Sequence, residues 1–373
     1  MLKNFIKCPK LYWTFSKGVW YNCDNNPVTG FMQIWCRKIE QEEFPMKKLL
    51  VVALALVMAL ACVSAMAEPI TLVYAEVNPI DTIVGQTATA FKTKLEELSA
   101  GEIVVDVKAS GVLGSEAQIL DGVLMGGDTI DFVRLSAFAL SNYGVKQASL
   151  LNVPYTFENR DHFWAFANSE LAQKFLQEPK DIGLPVWGLT YAEEGFRHFF
   201  TNFPCTQISD LAGKKIRVSE DPIMVGMVKG LGANPTVVTF TELYSALQTG
   251  VVDGAEQPTA NYKSNAFPEV APHFILDGHT LGAVQIAVTA TGWAKLNEQQ
   301  QAWVMEAAKY ASDFNANLSA GEEAKVLEAL KAEGVVVTEV TDKTPWVEAC
   351  QDIIKTSTKG LEDVYQQILD MKP

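Results

Sequence analysis

Residues 195–258 read Gly195-Phe196-Arg197 at one end, Lys214-Lys215-Ile216-Arg217-Val218 in the middle and Leu243-Tyr244-Ser245-Ala246-Leu247-Gln248-Thr249-Gly250-Val251-Val252-Asp253-Gly254-Ala255-Glu256-Gln257-Pro258 at the other. Three strand-like runs, 215–218, 236–238 and 252–255, alternate here with helical patterns at about 222–231 and 241–249. Strands separated by helices imply a mostly parallel sheet, because parallel neighbours need a crossover. After Ala67 the chain holds four arginines, Arg134, Arg160, Arg197 and Arg217, and two of them fall in this stretch. Each stands beside glycine or β-branched residues rather than on a charged helix face. A guanidinium fork matches a carboxylate with two parallel charged hydrogen bonds, which points to an anion site at a cleft. Taken alone, the residues also fit two surface ion pairs of little energetic weight.

The same alternation continues outward. Strand-like runs at 70–75, 103–107 and 130–135 enclose helical patterns at about 82–98, with Val84, Ala88, Phe91 and Leu95 on one face, and at 115–125, with Ser115 as N-cap. A helix is predicted at 161–176 and a strand at 184–191, after which the chain changes lobe. A strand at 284–290 carries it back. One long helix covers 297–331, a short strand 335–340 and a terminal helix 345–371. No repeat or low-complexity linker appears. Ligands in open α/β folds sit at the carboxyl ends of parallel strands, here in a cleft between lobes.

The stretch 195–258 resembles the solute-binding receptors of tripartite ATP-independent periplasmic (TRAP) transporters, of the DctP type, and the likeness extends with lower specificity from about Ile70 to the C-terminus. In that family an arginine in a Lys-hydrophobic-Arg-Val strand grips the substrate carboxylate, and the matching residue is Arg217. A second arginine, in a Gly-x-Arg setting, corresponds to Arg197. The family's Asp-Gly-x-Glu-Asn-Pro turn reads Asp253-Gly254-Ala255-Glu256-Gln257-Pro258, so Gln257, longer by a methylene, stands where an asparagine often makes a third contact. The resemblance implies an α/β, two-lobed binding-protein clamp with crossing strands, a ligand cleft between the lobes and a long inter-lobe helix. Lobe 1 is expected to comprise 68–193 and about 283–322, and lobe 2 to comprise 194–282 and about 323–373. The implied ligand is an organic acid (a dicarboxylate, sugar acid or oxo acid), and the implied partners are the integral membrane permease subunits.

Residues 46–67 carry Lys47 and Lys48, an apolar run from Leu49 to Ala61 and Ala65-Met66-Ala67 before Glu68. This is a secretory signal pattern with cleavage expected after Ala67. An uncleaved anchor and a lipoprotein tethered through Cys62 are the alternatives. Such a leader belongs at an N-terminus, so Met46 is expected to be the true start and 1–45 an over-extended reading frame. Codons for Gln41-Glu42-Glu43 can spell a purine-rich ribosome-binding sequence, while a real extension is the other reading. Eight of the 30 basic and four of the 44 acidic residues lie in 1–67, so the remainder has a formal charge of −18. That surface argues against nucleic acid or anionic membrane as a partner and requires a local positive site for an anionic ligand. Of six cysteines only Cys205 and Cys350 follow residue 67, which leaves no disulfide framework and leaves their pairing open.

Other residues complete the expected site. Glu193-Glu194 beside Arg197 can bond substrate hydroxyls or orient the arginine. Ser136, in the loop after a strand, and Asn78 are candidate polar contacts. Tyr74, Phe138 and Trp187 are possible cleft residues. Trp293 and Trp303 are expected to pack the long helix onto the sheet. His198, His273 and His279 are too dispersed for a metal triad, and no metal or cofactor is expected. The chain has no Gly-x-Ser-x-Gly, P-loop, zinc-protease motif or Cys-x-x-Cys, so a monomeric exported binding protein is preferred over an exported enzyme acting on a small organic acid. A sensory ligand-binding module is a third reading.

Overall fold

A computed structural model describes residues 68–373 and, before them, only β1 (Thr14–Ser16) and β2 (Val19–Tyr21), which pair antiparallel. These two strands lie where the sequence shows no convincing period for helix or strand. The expected leader at 46–67, with Cys62, lies outside the described residues. Glu68–Pro373 form one compact unit.

That unit begins with β3 (Ile70–Ala75), which pairs in parallel with β4 (Ile103–Lys108) and β5 (Phe132–Ser136). The helix Ile83–Leu98 is capped by Thr82, whose side chain accepts from Gly85 N at 3.1 Å, and it buries the expected face of Val84, Ala88, Phe91 and Leu95. The single helix expected at 161–176 is instead two, Arg160–Ala167 and Glu170–Asp181. Ser169 breaks the run because its hydroxyl caps the second helix at Ala172 N.

The sheet is mixed rather than mostly parallel, owing to two strands far longer than their sequence pattern suggests. β6 (Val186–Thr201) and β10 (His273–Thr289) run antiparallel to each other with three register shifts. At one end β10 pairs with β5 through Val284–Val288. At the other, β6 pairs with β9 (Gly254–Pro258), and β10 pairs with β11 (Val336–Glu339). Beyond β9 lie β7 (Lys215–Val218) and β8 (Asn234–Val237), parallel to one another. The two groups of strands are thus joined in one sheet through β6 and β10, which makes the two-lobed clamp. Between them the ladder is disrupted around Gly195 (φ 104°) and Gly278 (φ 58°), left-handed positions where a side chain would be strained.

The helix Glu298–Ala332 has 35 residues, a length of about 52 Å. Near its start Val304, Ala307, Ala308 and Ala311 pack with Phe91, Phe132 and Ile286; near its end Leu330 packs with Phe200, Tyr262 and Phe274. Midway, Ser312 donates to Tyr191 O and Asn315 Nδ2 to Glu193 O, stitching it to β6. The terminal helix expected at 345–371 is broken into Thr344–Ala349, Gln351–Ser357 and Glu362–Leu369. Gly360, at φ 81°, supplies the last break. Trp346 and Cys350 pack beneath β7 with Ile216 and Met224, whereas Ile368 packs against Phe157, Phe163 and Tyr191 at the opposite end of the sheet.

Candidate functional site

Strand β7 alternates. Ile216 and Val218 enter the hydrophobic core, which turns Arg217 to the other face. There it lines a cavity of about 300 Å³ together with Val77, Glu116, Ser136, Phe138, Val238 and Phe240. A smaller adjoining recess of about 30 Å³ shares Val77, Glu116, Ser136, Phe138 and Phe240 and adds Asn78, Arg134, Glu194, Arg197, Gln257 and Asn261. All six residues expected from the sequence, Arg217, Arg197, Gln257, Glu194, Ser136 and Asn78, therefore line one or both of these spaces.

Arg217 is 2 % exposed. Its Nε donates to Val238 O at 2.8 Å, Nη1 is buried with no partner, and no carboxylate among the described residues forms an ion pair with it. Burial pushes its pKa down to about 10, and neighbouring Arg197 adds to the fall, against the opposing pull of Glu256 and Glu116. A buried cation without a counter-ion is unfavourable unless something arrives to neutralise it.

The other three arginines that follow residue 67 are each paired with carboxylates. Arg134 meets Glu76 and Glu116 at 3.1 Å and Glu194 at 3.2 Å. Arg197 is forked by Glu256, bonds Glu194 at 3.1 Å and lies 4.9 Å over the Phe138 ring. Arg160 holds Glu193 at 3.0 Å and reaches Glu323. Both carboxylates of Glu193-Glu194 bond arginines, and Glu193 also accepts from Trp164 Nε1 and Ser319 Oγ. Burial raises the pKa of each of the two. Ser136 caps the short helix that follows β5 and donates to Glu116, from Oγ at 2.9 Å and from its backbone N at 2.6 Å. Asn78 donates to Glu76, and Gln257 stands opposite His198 in the β6–β9 ladder.

Glu116, Arg134, Asn261 and Phe240 escaped the sequence reading. Two signals could have found the first pair: Glu116 follows the N-cap Ser115, and Arg134 is a charge inside the apolar run Phe132-Val133-Arg134-Leu135. Tyr74 and Trp187 are not cleft residues. The pleat turns Tyr74 into the core, 5.8 Å from Phe91, and Trp187 packs edge-on to Trp293 at 5.9 Å. Trp293 and Trp303 do pack onto that core. His279 is buried between Asp277 and Glu256; burial opposes its charged form, but the two carboxylates carry its pKa up to about 9. Cys205 and Cys350 are unbonded thiols in one apolar cluster, both pushed up to about 12 by burial. Among the described residues no His, Cys, Asp and Glu are grouped to hold a metal ion.

A family model for bacterial extracellular solute-binding proteins, family 7 (DctP), matches residues 74–360. The chain belongs to this family. A solute-binding protein of Roseobacter denitrificans is 30 % identical over 302 residues, covering 81 % of this chain and 91 % of its own. A TRAP periplasmic solute-binding protein of Pseudomonas putida F1, solved with bound D-glucuronate, is similar with a TM-score of 0.76 and 28 % identity, covering 80 % of this chain and 96 % of that one. Another, from Sulfurospirillum deleyianum with bound succinate, has a TM-score of 0.76 and 27 % identity, over 82 % of this chain and all of that one. The chain is thus a TRAP-type extracytoplasmic solute-binding protein, a transport receptor rather than an enzyme.

Proposed function

We propose that this receptor captures a small organic acid by seating its carboxylate on Arg217, in the cleft between the two groups of strands, and delivers it to TRAP permease subunits in the membrane. The observation that carries this reading is the buried guanidinium with a free Nη1 in the wall of a cavity of about 300 Å³. An entering carboxylate supplies the missing counter-charge and acceptors, while the cavity wall supplies the low dielectric that strengthens the pair. The bound carboxylates of the related receptors are consistent with it. Arg197, Glu194 and Ser136 serve by building the wall around the ligand, and Gln257 and Asn78 face its remainder. The formal charge of −18 after residue 67 makes a local cation the means by which an anion is held at all.

The lobes are assigned as 68–193 with about 283–322 against 194–282 with about 323–360, and residues 361–371, expected in the second lobe, are reassigned to the first because Ile368 packs with Phe157, Phe163 and Tyr191; three of the boundaries fall inside β6, β10 and the long helix, which therefore act as hinges. Ligand favours the closed arrangement because only there do both lobes touch it. The mature, monomeric protein is proposed to start at Glu68 after removal of a signal peptide and to work in the periplasm; among the described residues no helix is long and apolar enough to cross a membrane. The test of the reading is a thermal-shift screen against organic acids. A ligand at ~100 times its dissociation constant adds about 2.7 kcal/mol of stability, and a panel in which no acid stabilises the protein overturns the proposal.

A further inference from the structure

Two amide oxygens beside the recess say what the far end of the ligand must offer. Asn78 and Asn261 are 2 % and 1 % exposed, and the Oδ1 of each is buried with no partner. Their orientation is fixed by chemistry. Asn78 Nδ2 donates to Glu76 Oε1 at 3.1 Å and Asn261 Nδ2 to Glu194 Oε2 at 3.3 Å, and a carboxylate can only accept. Flipping either amide would set oxygen against oxygen, so both side chains are held with an acceptor left over.

The charged wall around these amides is unfavourable to a second anion. Arg134 is shared among Glu76, Glu116 and Glu194, and Arg197 between Glu194 and Glu256. Four carboxylates surround two guanidiniums, leaving Arg217 as the one uncompensated cation lining the cavity and its recess. Once a ligand carboxylate occupies it, the buried side-chain atoms still orphaned beside the recess, Asn78 Oδ1 and Asn261 Oδ1, both accept hydrogen bonds.

Resting on the carboxylate reading above, we infer that the ligand is a monocarboxylic acid whose other end donates hydrogen bonds, through hydroxyl or ammonium groups, to Asn78 Oδ1 and Asn261 Oδ1, and that dicarboxylates are discriminated against. Donors satisfy the two orphaned acceptors; a second carboxylate leaves them unpaired and meets like charge. Sites built around buried polar partners reject analogues lacking the matching group more strongly than apolar pockets reject a change of size.

Matched acids separate these outcomes by calorimetric titration of the purified protein, stripped of co-purified ligand by unfolding and refolding. D-Gluconate and D-glucarate share a carbon chain and differ in the second carboxylate; 4-hydroxybutanoate, 4-aminobutanoate and succinate form a smaller set in which hydroxyl, ammonium and carboxylate exchange at one end. In each set the monocarboxylates should bind at least tenfold tighter than the diacid, and the hydroxyl and ammonium arms tell the two donor types apart. Asn261→Leu, checked for folding by its ligand-free melt, should weaken the better donor-bearing acid about tenfold while leaving hexanoate unchanged. Diacids binding as tightly as their partners, with that binding lost in Arg217→Ala, would overturn this inference and leave the carboxylate reading standing. Equal weakening of hexanoate and the donor-bearing acid in Asn261→Leu would likewise reduce Asn261 to a structural role and overturn it. Absence of binding by every acid, or binding that survives Arg217→Ala, would remove the reading beneath it.

Discussion

The wall at β7 and the crossing of β6 with β10 use the same residue type to opposite ends. At the crossing, Arg197 and Arg160 are each clasped by two carboxylates, and their charges disappear into the architecture. At β7, Arg217 is as deeply buried as Arg197 but has a single backbone acceptor and a free Nη1. Burial of an ion without a partner costs several kcal/mol, so a fold that retains one is retaining it for something outside the chain. Pairing, rather than burial or residue type, separates the structural arginine from the one that is available.

Arg217→Ala should break that contrast most severely. Charge-assisted hydrogen bonds contribute about 1.5–3 kcal/mol each, so losing a bidentate pair should cost about 3–5 kcal/mol of binding, several hundredfold or more in affinity. Arg217→Lys keeps the charge without the fork and should restore only part of it. Binding within tenfold of wild type in Arg217→Ala, measured by calorimetry, would place the carboxylate elsewhere. Because Arg217 is unpaired without ligand, Arg217→Met should also raise ligand-free stability, by about 1–4 kcal/mol in a denaturant titration; a loss of stability would mean that an unrecognised partner holds the guanidinium.

Arg197→Ala should behave in the opposite sense. It leaves Glu256 and Glu194 buried with fewer counter-charges and should cost about 3–5 kcal/mol of stability, read from chemical denaturation, with a smaller effect on affinity than Arg217→Ala. A variant that melts normally but binds several hundredfold more weakly would make Arg197 a direct ligand contact. Arg160→Ala is a milder form of the same change, since the arginine is partly exposed. It should cost about 1–3 kcal/mol through Glu193 and leave acid affinity within twofold.

The smallest effect concerns pH. His279 has a folded pKa near 9, above the unfolded value of about 6.5, so its contribution is fully present below about pH 6.5 and is lost as pH rises through 9. Ligand-free Tm should fall by about 2–4 °C over that window, and His279→Asn should flatten the dependence. Glu256, carried down to about 2 by Arg197 and His279 despite its burial, gives the acid counterpart: its contribution holds above about pH 4.5 and disappears as pH falls towards 2. A Tm that rises between pH 7 and 9 would contradict the charged pairing of His279.

The sequence by itself determined whatever depends on near neighbours. The 3.6-residue period of Val84, Ala88, Phe91 and Leu95 and the cap at Ser115 are local patterns, and they appear as read; the Thr82 cap and the alternation that buries Ile216 and Val218 around Arg217 are equally local, although the sequence reading did not single them out. The tertiary structure decided the rest. β6 and β10 continue through 16 and 17 residues because each finds partners along its whole length, among them β5 at one end and β9 or β11 at the other, which no local period can announce. The pairing of Arg197 with Glu256 spans 59 positions and that of Arg134 with Glu76 spans 58. The four arginines that follow residue 67 become three paired ones and one without a carboxylate partner because counter-charges are brought together by the fold, and an ion pair is set by distance in space rather than along the chain.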